Sequence, residues 1–434
     1  MTHVIFSRGA LFVCASMLAG LPGVARAQAT QPPPNRAAQY LDAKEGLTID
    51  ALVALAMERA PALAAARARI DAAAGDRQQA ALRPNPSASV ERREQFGGLE
   101  TQTLLGMSWP LDLFRRNARV TAADPLVHQA ESQVEDEVRE WAAVVRDRAT
   151  GVLASVRQLE IADGRARFSK SRLDLLAARV DAGAARPLDR DLADVEWRRA
   201  QADVLMWQAT VDQGLAVLKS VVGLPGAAPL RLALPLDIVA ASLPAAPTGA
   251  FADALATRPD IRVLEFDVIR AQAEGARARS DARFDLGVYA AYMTRQLDLA
   301  ADRGRMHEGM LGVTVSLPWR NRQQGAIAAA SAMARAAESR VAARRLDATA
   351  EIDAARIREG AAAATLGLYR GGLMDLAERN LTVVRESFDL GRGTLFDVIE
   401  EERRYLDLQS AFTAAMKEVI DARTAVLRAL GVAS

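Results

Sequence analysis

The run Asp285-Leu286-Gly287-Val288-Tyr289-Ala290-Ala291-Tyr292, answered by Met310-Leu311-Gly312-Val313-Thr314-Val315-Ser316-Leu317, decides the fold. Leu286, Val288, Ala290 and Tyr292 alternate with Asp285, Gly287, Tyr289 and Ala291. Leu311, Val313, Val315 and Leu317 alternate with Met310, Gly312, Thr314 and Ser316. A period of two over both arms marks strands with two unlike faces. The polar stretch Arg295 to His307 separates the arms, so residues 285–317 read as a hairpin with His307 in its outer loop.

Outward from this hairpin the chain repeats itself. Pro61 and Pro259 open Ala-rich helices 198 residues apart, and Val90 and Val288 keep that offset. Ser108-Trp109-Pro110-Leu111 is matched by Ser316-Leu317-Pro318-Trp319 at an offset of 208. The same 208 relates Gly183 to Gly391, Asp189 to Asp397, Gln201 to Gln409 and Gly223 to Gly431. The ten-residue change falls between positions 90 and 110, which fits a loop tip, where insertions are tolerated. A first hairpin is therefore expected over 87–110. In it Thr101, Thr103, Leu105, Met107 and Trp109 share a face, while the polar run Ser87 to Gln95 is a strand only by analogy with the second copy.

The remainder reads as helix. From 119 to 182, Val134, Val138, Trp141, Val145, Val152, Val156 and Leu159 recur at coiled-coil spacing, and Ala166, Leu173 and Val180 continue it in sevens. About 60 helical residues reach roughly 90 Å, more than the width of an ordinary globular domain. The second copy repeats this over 327–390. Each long helix stops at a glycine, Gly183 or Gly391, and a return helix follows over 187–222 or 395–430. Repeat one is thus 47–223 and repeat two 251–431. Between them, 224–250 is a crossover too rich in proline for a helix, and 28–46 is an extended lead.

Composition limits the class. Of 434 residues, 50% are hydrophobic and only 5% aromatic, with 55 Lys plus Arg against 54 Asp plus Glu. That balance excludes a phosphate-neutralising nucleic-acid binder and an acidic disordered chain. Residues 1–27, with Arg8, the apolar run Gly9 to Val24 and Ala25-Arg26-Ala27, have the parts of a signal peptide. Removing it takes two arginines and Cys14, the single cysteine, leaving 53 basic against 54 acidic residues. No disulfide or thiolate metal site is then expected. No later stretch holds 18 uncharged apolar residues, so a bilayer could be crossed only by a β-barrel. Four strands cannot close one, and open edges are prohibitive in lipid. Several chains must pool their strands, or the hairpins sit in water.

At this point the chain resembles the TolC-like outer-membrane factors, above all their heavy-metal-resistance branch. The resemblance is carried by Ala81-Leu82-Arg83-Pro84-Asn85-Pro86, Ser316-Leu317-Pro318-Trp319-Arg320-Asn321-Arg322 and Gly391-Arg392-Gly393-Thr394-Leu395-Phe396-Asp397-Val398, in this order and spacing. It implies a mainly α chain with a small β part, assembled as a homotrimer with a twelve-stranded barrel in outer-membrane lipid. A helical tunnel would stand in the periplasm and dock to a periplasmic adaptor (a membrane fusion protein) and an inner-membrane pump of the resistance-nodulation-division type.

The resemblance places the helix–helix turns at the periplasmic tip. Gly183, Asp189, Phe388, Gly391, Arg392 and Asp397 become candidates for adaptor docking, beside their plain role as helix caps. Asp397 and Glu400, three apart on one helix face, would repeat into an acidic ring at a tunnel constriction, or simply favour the helix dipole. An aromatic hydroxyl and a basic residue common in the family are replaced here by Phe388 and Gly393, with Arg392 as a substitute cation. Trp109, Phe114 and Trp319 flank the strands, as a membrane girdle or as junction packing. Pro110 and Pro318 fit sharp strand exits.

No cofactor, metal site or catalytic constellation is expected. His128 and His307 stand alone, the run Glu131, Glu135, Asp136, Glu137 and Glu140 reads as a solvated helix face, and no nucleophile–base pair or phosphate loop is found. The expected function is export through the outer membrane, with metal cations as cargo. Drug or solvent efflux and type I secretion are alternatives within the class. A periplasmic coiled-coil scaffold is the alternative outside it, and a single-chain porin would need at least eight strands.

Overall fold

A computed structural model describes residues 36–432, apart from 99, 244–250 and 300–301. The expected signal peptide with Cys14, residues 28–35 of the lead and the end of the crossover lie outside the described residues. Within them, each repeat is a short helix pair, a hairpin, a long helix and a return helix. Repeat one has α1 (Ile49–Arg59), α2 (Pro61–Ala81), β1 (Ser87–Glu94), β2 (Glu100–Pro110), α3 (Arg115–Asp181) and α4 (Pro187–Val222). A short α5 (Leu236–Ala241) follows. Repeat two has α6 (Phe251–Thr257), α7 (Pro259–Asp281), β3 (Asp285–Leu299), β4 (Asp302–Ser316), α8 (Gln324–Leu368), α9 (Met374–Asp389) and α10 (Leu395–Ala429).

Local chemistry sets these ends. The Thr48 hydroxyl accepts from the Ala51 N–H and opens α1. Pro61, Pro187 and Pro259 each take the first helical turn, where the missing N–H costs nothing, after an extended preceding residue. The Thr394 side chain and Asp397 form a capping box for α10.

The two hairpins join into one antiparallel sheet in the order β1-β2-β3-β4. β2 and β3 pair from Glu100↔Leu297 to Pro110↔Gly287, so the repeats are sewn together through their inner strands. β1 and β4 are left as free edges. The register separates the faces. Val90, Leu105, Tyr292 and Gly309 form one row, Ala88, Met107, Ala290 and Leu311 the next, and Trp109, Val288 and Val313 a third. The opposite face carries Ser87, Glu91, Arg93, Gln102, Arg295, Glu308 and Thr314. In the single chain the apolar rows face outward: Leu311 is 88% exposed and Val90 72%.

The main apolar core lies in the helices, where Leu52, Val145, Val152, Val156, Leu159, Val211, Leu218, Met416 and Ile420 are buried. Several expectations need correction. The lead is not simply extended: Arg36–Gln39 is a 3-10 turn, and Leu41 and Leu47 both bridge to Leu232. The crossover does hold a helix, α5, because its prolines leave Leu236–Ala241 free to wind after Pro235. β4 begins at Asp302, so His307 is a strand residue, and Arg295 continues β3. The polar stretch pairs as strand because its backbone register runs on unbroken and Arg295 meets Glu100 across it at 2.8 Å.

The long helices also differ from the periodic pattern. α3 contains Pro125, buried in its third turn, and continues through it. Towards the tip its buried row leaves Leu173 and Val180, which are half-buried, for Ser169, Arg172 and Leu176. The second long helix is not continuous. A π turn at Tyr369–Leu373 separates α8 from α9, with Gly371 at φ −76°, ψ 20° and Gly372 at φ 111°, ψ −3°.

Candidate functional site

Two regions hold the candidate residues, the helix-side rim of the sheet and the tips. At the first tip, α3 ends with Gly183 at φ 71°. Its N–H donates to Val180 O at 2.9 Å, and the Ala184 N–H reaches back to Arg179 O at 2.7 Å. At the second tip Gly391 sits at φ 75°, with Gly391 N–H to Phe388 O and Arg392 N–H to Ser387 O, both 2.9 Å. This pair of bonds is the Schellman closure, which requires a left-handed residue and so favours glycine. A Cβ on either glycine would meet nothing within 4 Å, so the backbone alone imposes the choice.

The two acids that open the return helices are held differently. Asp189 pairs with Arg186 at 3.0 Å, and that hydrogen bond lowers its pKa. Asp397 accepts from the Thr394 backbone N–H at 2.9 Å and the Thr394 hydroxyl at 2.6 Å, and these bonds lower its pKa. Glu400 lies 3.7 Å from Arg404. Phe388 is half-buried and Arg392 exposed.

A cluster that the sequence reading passes over sits above these tips. Arg172 of α3 pairs with Glu402 of α10, with side-chain exposures of only 8% and 10%. Arg385 of α9 lies 3.9 Å from Glu402, and the Arg172 and Arg385 guanidinium groups stack on Phe168 at 4.7 and 3.9 Å from its ring centre. Burial lowers the Arg385 pKa. Nothing in a coiled-coil pattern marks Arg172 as an inward position, so periodicity alone could not have found it.

At the other end, Trp109 donates its ring N–H to Pro84 O at 3.0 Å. Phe114 meets Phe284 edge-on at 5.2 Å. Trp319 stands 83% exposed just beyond β4. Far from both ends, Arg258 is fully buried between Asp260 and Glu351, each at 2.9 Å. Burial alone would raise the Asp260 carboxyl, but Arg258 and Arg344 more than offset this and hold it at about 2.

Residues 52–224, the body of the first repeat, match the family model described as outer membrane efflux protein. In that stretch the chain resembles the outer membrane efflux proteins. The chain is 24% identical, over 81% of its own length and 82% of the relative's, to the cobalt-zinc-cadmium resistance protein CzcC of Cupriavidus metallidurans. Its fold is that of CusC, with a TM-score of 0.74 at 17% identity over 89% of this chain and 93% of that one. It is also that of the MtrE outer membrane channel of Neisseria gonorrhoeae in its open state, at 0.73 and 19% over 89% of each chain. Among the described residues no helix is long and apolar enough to cross a membrane, and no group of His, Cys, Asp or Glu could hold a metal.

Proposed function

We propose that three copies of this chain close a twelve-stranded barrel and form the outer-membrane duct of a tripartite efflux system. The observation that supports this most directly is the sheet. It has two unpaired edges and an exposed apolar face, which lipid and neighbouring strands would satisfy together. The duct would receive cargo from an inner-membrane pump through a periplasmic adaptor seated on the tips, around Gly183, Asp189, Phe388, Gly391, Arg392 and Asp397. Metal cations are the proposed cargo, by similarity to CzcC. Glu400 and Asp397 would set a cation-favouring constriction, although Thr394 and Arg404 already hold part of that charge.

Three measurements test this reading. Detergent-extracted protein should have the mass of a trimer and resist high-salt washing from outer membranes; a freely soluble monomer overturns it. Cells lacking the protein should accumulate cobalt, zinc or cadmium and be rescued by it; rescue of drug sensitivity alone would move the cargo to the other class. Asp397→Asn with Glu400→Gln should reduce cation preference in planar bilayers, and unchanged selectivity removes the acidic ring.

A further inference from the structure

We infer that the helix-side rim of the sheet is a docking belt for the anionic phospholipid headgroups of the inner leaflet. This rests on the lipid-spanning reading of the sheet. The segments at that rim are 81–86, 111–119, 281–285 and 317–324, and they hold seven arginines against three aspartates. The aspartates are already engaged. Asp112 pairs with Arg119 at 2.6 Å, Asp285 with Arg115 at 3.3 Å, and Asp281 with Arg115 at 3.8 Å and Arg277 at 3.9 Å. Arg116 donates to Ala81 O, at the end of α2. Arg83, Arg283, Arg320 and Arg322 remain exposed, with no side-chain partner among the described residues. The rim thus carries a positive surplus that the chain does not neutralise.

Its position makes that surplus a lipid site. Leu311, Val313, Val315, Leu317 and Trp319 follow one another at every second residue, and the apolar face runs without a gap into the rim. The apolar rows cover about eight residues along β4, or roughly 20 Å of height for a strand tilted near 40°, close to the band of a lipid-facing barrel. Exposed Trp319 and Leu317 lie at headgroup depth, and long arginine stems let the charge rise to phosphate. The opposite rim is different. Residues 91–100 and 295–305 balance five arginines with five acids, and Arg92 is bonded to Glu94 at 2.7 Å. Anionic lipid is therefore drawn to one rim only.

The test reconstitutes the purified protein in vesicles doped with brominated phosphatidylglycerol or brominated phosphatidylcholine. Tryptophan quenching reports the lipid at the rim, since Trp109 and Trp319 border the strands while Trp141, Trp197 and Trp207 sit on α3 and α4. Wild type should be half-quenched at about threefold less of the anionic lipid, and salt should shrink that difference. R83Q/R283Q/R320Q/R322Q should abolish it; if that variant misfolds, R320Q/R322Q should reduce it. R92Q/R305Q, on the opposite rim, should retain it. Equal quenching by both lipids in wild type, or a preference that survives the four substitutions or is lost with R92Q/R305Q, overturns the belt while leaving the barrel in place. No quenching by either lipid overturns both.

Discussion

The two long helices end at equivalent glycines, yet only one of them is continuous. α3 runs through Ile161-Ala162-Asp163-Gly164-Arg165 without a break. The equivalent positions 208 residues later, Tyr369-Arg370-Gly371-Gly372-Leu373, form a π turn with one glycine far outside helical space. In the first copy a lone glycine is flanked by side chains that reach their neighbours. Ala162 is buried, Asp163 pairs with Arg167 at 2.5 Å, and Arg165 pairs with Asp203 of α4 at 2.8 Å. In the second copy two adjacent positions have no side chain to pack or pair. Each glycine costs a helix about 1 kcal/mol. Helical period is the same in both copies; what differs is how many side chains secure the backbone at one level.

The largest effect should come from the charged cluster just below that break. Glu402 and Asp194 are equivalent by the 208-residue offset. Glu402→Ala leaves Arg172 buried without its partner, and a loss of about 3–5 kcal/mol is expected. Asp194 pairs with Arg198 on the surface, and Asp194→Ala should cost about 0.5 kcal/mol or less. Urea unfolding in detergent measures both. Similar losses at the two positions would mean that the copies are stabilised alike near their tips, against the burial seen here.

Gly164→Ala and Gly372→Ala should then have opposite signs. Gly164 is helical with open space around its Cβ position, so alanine should stabilise by about 0.5–1 kcal/mol. Gly372 has φ 111°, and alanine there should destabilise by about 1–2 kcal/mol. Shifts of the same sign in thermal melting would show that the π turn rewinds at little cost, and the contrast between the helices would fall.

Much of this architecture is legible in the sequence because it depends on period and landmark spacing. Alternation exposes the second hairpin, and glycines mark the long-helix ends, since no other residue adopts their backbone as readily. What is hidden depends on partners far along the chain. β1 is mostly polar, with only Ala88 and Val90 on its apolar face, and pairing with β2 makes it a strand. Arg172 turns inward because Glu402, 230 residues later, meets it there. The break at Gly371-Gly372 was available as a doublet of helix-weakening residues, but coiled-coil spacing outweighs it in a reading by period. At the tips, glycine geometry was legible, whereas the bond that takes up the Asp397 carboxylate was not, because a capping box competes with any role for that charge in solvent.

The smallest expected difference separates the two return-helix starts. Asp397 binds both the backbone and the hydroxyl of Thr394, while Asp189 is held by an arginine that is itself 78% exposed. Asp397→Ala should therefore destabilise more than Asp189→Ala. Both carboxyls have lowered pKa values, so each binds fewer protons folded than unfolded at mildly acidic pH. Their stabilisation is complete above the ordinary value of 3.8 and is lost as pH falls through the lowered native values. Melting curves of wild type and each variant should converge in that acidic window. A gap between wild type and Asp397→Ala that persisted there would assign its cost to lost packing and not to the carboxylate, and the two tips would then be equivalent in their electrostatics.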